Sequence, residues 1–294
     1  VITQADLVDR LSRRNLAAWS IVERVQDIAT ADERRHLQRR EHRTRLTLIV
    51  HQDVPLGRGS ARLDLDAYDG SADELVDQAI SLALAAIGPA WLSPPPAAPA
   101  KVAIVDDELL KRELDAVAVN TLARLRRPAG VTVTAAVEVL REKLTVIASS
   151  GFHATWLATA VHADAVLAQA GADASPRSLR ISRSARRIED LDLDAALTDA
   201  AADLLDLATA GPPIPGPCAL WLGPEALLHG DGDGLGLWTI FAHQADSAVE
   251  RQGLTRYRYR AEIAPGAAQL AEPLTITSNG ALDFATRSAP ISDD

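Results

Sequence analysis

The chain has 294 residues, with a single cysteine, Cys218, and no methionine. One thiol cannot close an internal disulfide, and it cannot build a cysteine-based metal cage. This favours the cytoplasm by default. Because methionine is missing even at the first position, Val1 is expected not to be the native first residue. Apolar runs are short or broken by charge, and none supplies the ~20 residues that a membrane helix needs. The opening VITQADLVDRLSRR is an amphipathic polar segment and lacks the profile of a secretory signal. Basic residues are also outnumbered, 30 Lys and Arg against 40 Asp and Glu, for a formal net charge of −10. General nucleic-acid binding is excluded on that ground, since phosphate neutralisation needs clustered Lys and Arg.

Several catalytic signatures are missing as well. No Gly-x-Ser-x-Gly elbow occurs, and Ser149 and Ser150 have no evident Asp or His partner. HGDGDGLG, at His229 to Gly236, superficially suggests a calcium loop or a phosphate cradle. A calcium loop starting at Asp231 would need a bidentate acid where Ala242 stands, and a phosphate loop would need Gly-Lys-Ser/Thr or Gly-x-Gly-x-x-Gly. The stretch therefore reads as a surface loop. The seven histidines never fall four or five apart with a glutamate between them, which favours isolated core or surface histidines over a metal site. Cys218 follows Pro217 into an apolar run and reads as a buried, inert thiol.

At 47% hydrophobic residues the chain can bury a large core. Thr3 caps an expected helix over 3–18, with Leu7, Val8, Leu11 and Leu16 near helical spacing. Period-two alternation over 20–30, 43–51 and 58–66 predicts an antiparallel meander. Ser71 then caps a helix over 72–87 with Leu75, Ala79, Leu82 and Ala86 on one face. Residues 88–99 form a Pro-rich loop, 101–105 a buried strand, and Asp106 or Asp107 caps a helix to about Arg126. Residues 131–140 and 143–149 read as a strand pair closed by a Ser149-Ser150-Gly151 turn. Trp156, Thr159 and Val161 favour strands over 152–169. An amphipathic helix over 192–209 runs into GPPIPGP, at Gly211 to Pro217. The expectation is an α+β fold: a mixed α/β layer domain over 1–210, then a β-rich second domain over 211–294 with strands from Tyr257 onward.

Two basic clusters stand out. Arg34, Arg35, Arg39, Arg40, Arg43 and Arg45 are either an anion patch or alternating arginines on a solvated strand face, the latter being the simpler reading beside Asp32, Glu33 and Glu41. Arg256, Tyr257, Arg258, Tyr259 and Arg260, with Arg251 nearby, suit a peptide terminus or a partner subunit, or else form a two-faced strand with its arginines outward.

The segment from Glu250 to Pro290 resembles the middle of the TldD/TldE (PmbA-type) peptidase family. There a basic Gly-Leu-Ser/Thr element leads into a Pro-Leu-Thr-Ile-Thr strand, here Gly253-Leu254-Thr255 and Pro273 to Thr277. Weaker likenesses keep the family's order: Arg45 to Asp66 to its early strands, Ser149-Ser150-Gly151 to its Asn-Ser-x-Gly turn, and Asp192 to Pro217 to its helix with a Pro/Gly exit. Active members carry His-Glu-x-x-x-His just upstream, so that two imidazoles hold a metal and the carboxylate activates its water. The nearest segment here reads His243-Gln244-Ala245-Asp246-Ser247-Ala248. Gln244 is no general base and Ala248 no ligand.

The resemblance implies a TldE-like, non-catalytic subunit without a metal of its own. Zinc would sit on a TldD-like metal-bearing partner, and the two together would form a chamber for an unfolded peptide substrate. It also implies a C-terminal part, absent from this chain or carried on another. Two alternatives stay open: a stand-alone binding or scaffold protein, and a hydrolase that uses His243 with ligands from elsewhere. The first reading predicts that the purified, dialysed chain carries no stoichiometric zinc by elemental analysis. One tightly held metal per chain, lost in His243→Ala, would overturn it.

Overall fold

Strands that alternate apolar and polar side chains must pair to satisfy their backbones, and here they do so over unusual lengths. The computed structural model describes residues 2–65, 70–88, 99–169, 177–207, 209–211, 215–217 and 283–284. Contacts divide the chain into one unit of Val1–Ala210 with Asn279–Asp294 and another of Gly211–Ser278, and every element described below belongs to the first. The strands expected from Tyr257 onward lie outside the described residues.

Seven antiparallel strands form one sheet in the order β4-β3-β2-β1-β5-β6-β7. They are β1 (Ala18–Asp32), β2 (Leu37–Val54), β3 (Gly57–Leu65), β4 (Ile87–Gly88), β5 (Thr132–Ala148), β6 (His153–Gln169) and β7 (Arg177–Ala185). The helices are α1 (Gln4–Ser12), α2 (Ala72–Ala85), α3 (Asp107–Lys111), α4 (Leu114–Ala123) and α5 (Leu193–Leu207). The fold is α+β, as expected. β1, β2 and β3 form the predicted meander, with Ile21 opposite Leu48 and Leu48 opposite Leu63.

Register shows why the helices take one face. β1 pairs without interruption on both edges, so Ile21, Ala29 and Ala31 point the same way. Ile21 belongs to a core with Leu46, Leu48 and Val50 under α1 and α2, built on Leu7, Leu11, Leu75, Val76, Ala79 and Ala83. Ala29 and Ala31 belong to a second core, with Val137, Val139, Val161 and Leu167 under α4 and α5. Thr3 and Ser71 close capping boxes with Asp6 and Glu74, fixing where α1 and α2 begin.

Several local expectations are corrected. α1 stops at Ser12, so Leu16 packs on its core from outside the helix. α2 buries Ala83, while Leu82 is 43% exposed and Ala86 lies past the helix end. The helix expected to reach Arg126 is two helices, because the chain turns extended at Arg112. The Arg141 side chain donates to the carbonyls of Leu109, at 2.8 Å, and of Arg112, satisfying the broken end. The expected strand pair over 131–149 is the single strand β5. Arg141 and Glu142, which resemble turn residues, sit mid-strand because each has a polar partner on its own face. Residues 152–169 are likewise one strand, β6.

Residues 101–105 bury Ile104 but make no ladder. Their backbone bonds run instead from Thr159 N to Ile104 O (3.0 Å), from Phe284 N to Ala103 O (2.6 Å), and from Ala103 N to Asp283 Oδ1 (2.8 Å). β7 adds a strand that no alternation announces, because its arginines recur every third residue and mask the pattern of Leu179, Ile181 and Ala185.

Gly59 marks a close approach of α2 to β3: a Cβ there would run into the Ala83 carbonyl oxygen. Gly151 meets nothing within 4 Å, but its φ of +84° suits glycine. Gly59→Ala should therefore destabilise by about 2–3 kcal/mol through overpacking, and Gly151→Ala by only about 1 kcal/mol through backbone strain. Urea unfolding of both variants checks the order, and equal midpoints would refute the close contact.

Candidate functional site

The residues singled out by resemblance, His243, Gln244 and Ala248, lie outside the described residues, as do Arg256, Tyr257, Arg258, Tyr259 and Arg260. Cys218 and the loop at His229 do too. Three of the described histidines are each held by a side chain on a neighbouring strand. His42 Nδ1 lies 2.7 Å from Asp27 Oδ1, His51 Nδ1 2.8 Å from Ser60 Oγ, and His162 Nδ1 2.7 Å from Ser184 Oγ. Among the described residues, no group of three or more His, Cys, Asp or Glu is placed to hold a metal. Ser149 has a structural role, its Oγ accepting from Trp19 N at 3.1 Å to tie the β5–β6 turn to β1.

The first basic cluster is split by the pleat. Arg39, Glu41, Arg43 and Arg45 share the sheet face opposite the helices, and Arg40 points the other way to Glu113 of the α4 N-terminus at 3.1 Å. Arg39 and Arg43 meet Glu41 at 3.0 and 2.9 Å. Arg35, Arg39 and Arg43 are paired with acids two or three residues away, as the strand-face reading expects, and Glu41 is held below its ordinary value chiefly by its bond to Arg43.

Register extends this row into a charged band across the face opposite the described helices. Arg43 faces Gln26, which faces Glu142. Glu142 Oε2 accepts from Gln26 Nε2 at 2.7 Å and from Arg24 Nε at 3.3 Å, with only 16% of its side chain exposed. The partly buried Arg186 guanidinium donates to the Thr159 carbonyl at 3.2 Å. Burial lowers its pKa, and the Glu142 charge opposes that shift. Beside the band lie Trp156, opposite Leu144, and Thr47, which donates to Asp64 at 2.6 Å. That hydrogen bond, and after it Arg62, keeps the Asp64 pKa below normal. Residues as far apart as Arg43 and Arg186 meet here only through register, so no sequence motif announces the band. It can hold polar or charged groups laid along the sheet, and the same face carries the His51–Ser60 and His162–Ser184 pairs.

The helix face has a polar gap between its two cores, at Glu23, Asp27, Arg141, Lys143 and the Thr145–Thr155 hydroxyl pair (3.1 Å). Thr159, fully buried at its border, accepts from Asp106 N at 2.8 Å and donates to Arg186 O at 2.9 Å. That threonine thus joins the start of α3 to the end of β7.

No family model and no curated protein matches the sequence. Solved structures do. A candidate modulator of DNA gyrase from Bacteroides thetaiotaomicron is 12% identical, with a TM-score of 0.50 over 70% of this chain and 50% of that one. TldE from Thermococcus kodakarensis is 16% identical, with a TM-score of 0.49 over 69% and 47%. A candidate DNA gyrase modulator from Thermotoga maritima is 14% identical, with a TM-score of 0.46 over 71% and 49%. The first of these shows the fold. The chain spans about half the length of the structures it matches. Among the described residues, no helix is long and apolar enough to cross a membrane.

One histidine of the face opposite the described helices gives a pH test. Burial, and behind it the Arg58 guanidinium, lowers the His51 pKa below the ordinary histidine value. The folded state thus prefers neutral His51. Its contribution is complete above the unfolded pKa of about 6.5 and is lost as pH falls through the folded value. Urea midpoints should fall between pH 7.5 and 5 more steeply in wild type than in His51→Gln; parallel profiles would exclude His51 as the source.

Proposed function

We propose that the chain is a non-catalytic, TldE-like subunit of a two-subunit metallopeptidase that acts on unfolded peptides. Its role is to form part of the substrate chamber and to complete the site of a TldD-type partner, which holds the zinc. The observation that carries the reading is the long-stranded antiparallel sheet with helices on one face, a fold shared with the candidate gyrase modulator from Bacteroides thetaiotaomicron. The sequence supports the assignment of roles. At the position where active members of the resembled family carry a base and a second imidazole, this chain has Gln244 and Ala248.

Chemistry divides accordingly. The resembled active helix brings two imidazoles and a carboxylate to one zinc, polarising a water for attack on a peptide carbonyl. This chain supplies none of those three groups as a set. Its contribution is surface: a chamber wall, and a contact segment at Arg256 to Arg260, where arginine and tyrosine offer planar, low-entropy anchors. The domain change proposed at Gly211 puts that segment in the second domain.

The test is co-purification with a TldD-type subunit encoded nearby, and hydrolysis of an unfolded peptide by the pair. Wild type should assemble and support turnover, with neither subunit active alone. Tyr257→Ala and Arg258→Ala should each weaken association by about 2 kcal/mol, roughly thirtyfold, with circular dichroism unchanged. A chain that binds no such subunit, or hydrolyses peptide alone, would replace this reading with the stand-alone scaffold or with a hydrolase using His243.

A further inference from the structure

The chain leaves the first unit after Ala210 and is back in it from Asn279. Of that returning stretch Asp283 and Phe284 are described, and both close on Ala103. Phe284 N donates to the Ala103 carbonyl at 2.6 Å, and Ala103 N donates to Asp283 Oδ1 at 2.8 Å. The Arg187 guanidinium lies over the Phe284 ring, 4.2 Å from its centroid. That cation is held by its edges: Nε and Nη2 donate to Asp190 at 2.6 and 2.8 Å, and Nη1 lies 2.9 Å from Glu189 Oε1, so its flat face is left for the ring. Phe284 is also strained, with a φ of +55° in the left-handed region that bulky side chains disfavour. One residue past Ala103 the attachment changes character. Ile104 is 3% exposed, its carbonyl accepts from Thr159 N at 3.0 Å, and Asp106 N donates to the hydroxyl of the fully buried Thr159 at 2.8 Å.

We infer that Asp283 and Phe284 form a catch that fastens the returning chain to the first unit and opens locally while the sheet stays folded. Both of its hydrogen bonds converge on one residue, Ala103, in a stretch that joins no ladder. Asp283 is exposed and Phe284 only half-buried, so little apolar surface resists opening. The left-handed backbone at Phe284 adds strain that opening relieves. None of this holds at Ile104 and Asp106, which are tied to a buried residue of β6 and move only with the sheet. The boundary of the catch therefore falls between Ala103 and Ile104. With the catch closed, the chain is fastened to the first unit on both sides of the stretch Gly211–Ser278; with it open, the fastening described on the far side is gone. The inference concerns this chain alone and does not depend on a partner subunit.

The experiment follows amide hydrogen exchange in the full chain, labelled with nitrogen-15, at low urea concentrations. In wild type the amides of Ala103 and Phe284 should exchange at rates that urea barely changes, as local opening does. Those of Asp106 and Thr159 should exchange through global unfolding, at rates that rise steeply with urea. Phe284→Ala removes the ring but keeps the strained backbone, and should speed Ala103 exchange about tenfold while leaving Thr159 unchanged. Phe284→Gly removes the strain as well, and should recover part of that protection. Arg187→Ala should also speed Ala103 exchange, and Arg187→Ala with Phe284→Ala should fall short of the sum of the two, because they share one contact. Ala103 and Thr159 exchanging together, in wild type or in response to Phe284→Ala, would show one cooperative unit with no catch. That result, or Ala103 exchange unchanged in Phe284→Ala, would overturn the inference.

Discussion

Uninterrupted pairing of β1 along both edges holds the unit together. Thirteen consecutive residues, from Ser20 to Asp32, are paired with β2 on one side and β5 on the other. Because the ladder never slips, side-chain direction is preserved along the whole strand, and Ile21 and Ala29 can serve separate cores on one face. A one-residue slip would turn both cores outward and move the charged band to the helix side. The Ser149 turn, Gly59 and the capping boxes act at the borders of this arrangement, fixing where β5 turns, how closely α2 lies and where the helices begin.

Much of this unit could be read from residues alone. The meander, the Ser71 and Asp106 caps, the turn at Gly151 and the α+β class all rest on local chemistry: period-two alternation, side-chain oxygens at helix starts and a glycine at positive φ. The errors arise where a distant residue decides a local outcome. Arg141 ends α3 by binding its carbonyls from thirty residues away, which no helical pattern within 107–126 encodes. Glu142 looks like a turn residue until Gln26 and Arg24 are brought opposite it. β7 hides behind arginines spaced like a helix face.

The polar surfaces are harder still to read from sequence, for the same reason. The charged band joins β1, β2, β5 and the end of β7, and the polar gap of the other face joins β1, β5 and β6. Each is assembled from segments whose individual compositions resemble ordinary solvated faces. The segment with the most specific family resemblance, from Glu250 to Pro290, follows the seven strands in the chain, whereas the weaker likenesses at Arg45 to Asp66, Ser149 to Gly151 and Asp192 to Pro217 begin within the unit that the sheet builds.

The two hydrophobic clusters share a sheet face but no residue, and a polar strip at Glu23, Asp27 and Arg141 lies between them. Packing defects travel through touching side chains, and here that continuity is broken. A cavity cut at Leu48 and another cut at Val161 have no common neighbour in either cluster through which to relax. Their free-energy costs therefore add, as those of distant, independent sites do. Each end of the sheet can accumulate sequence change without the other having to compensate, provided the β1 ladder remains in register.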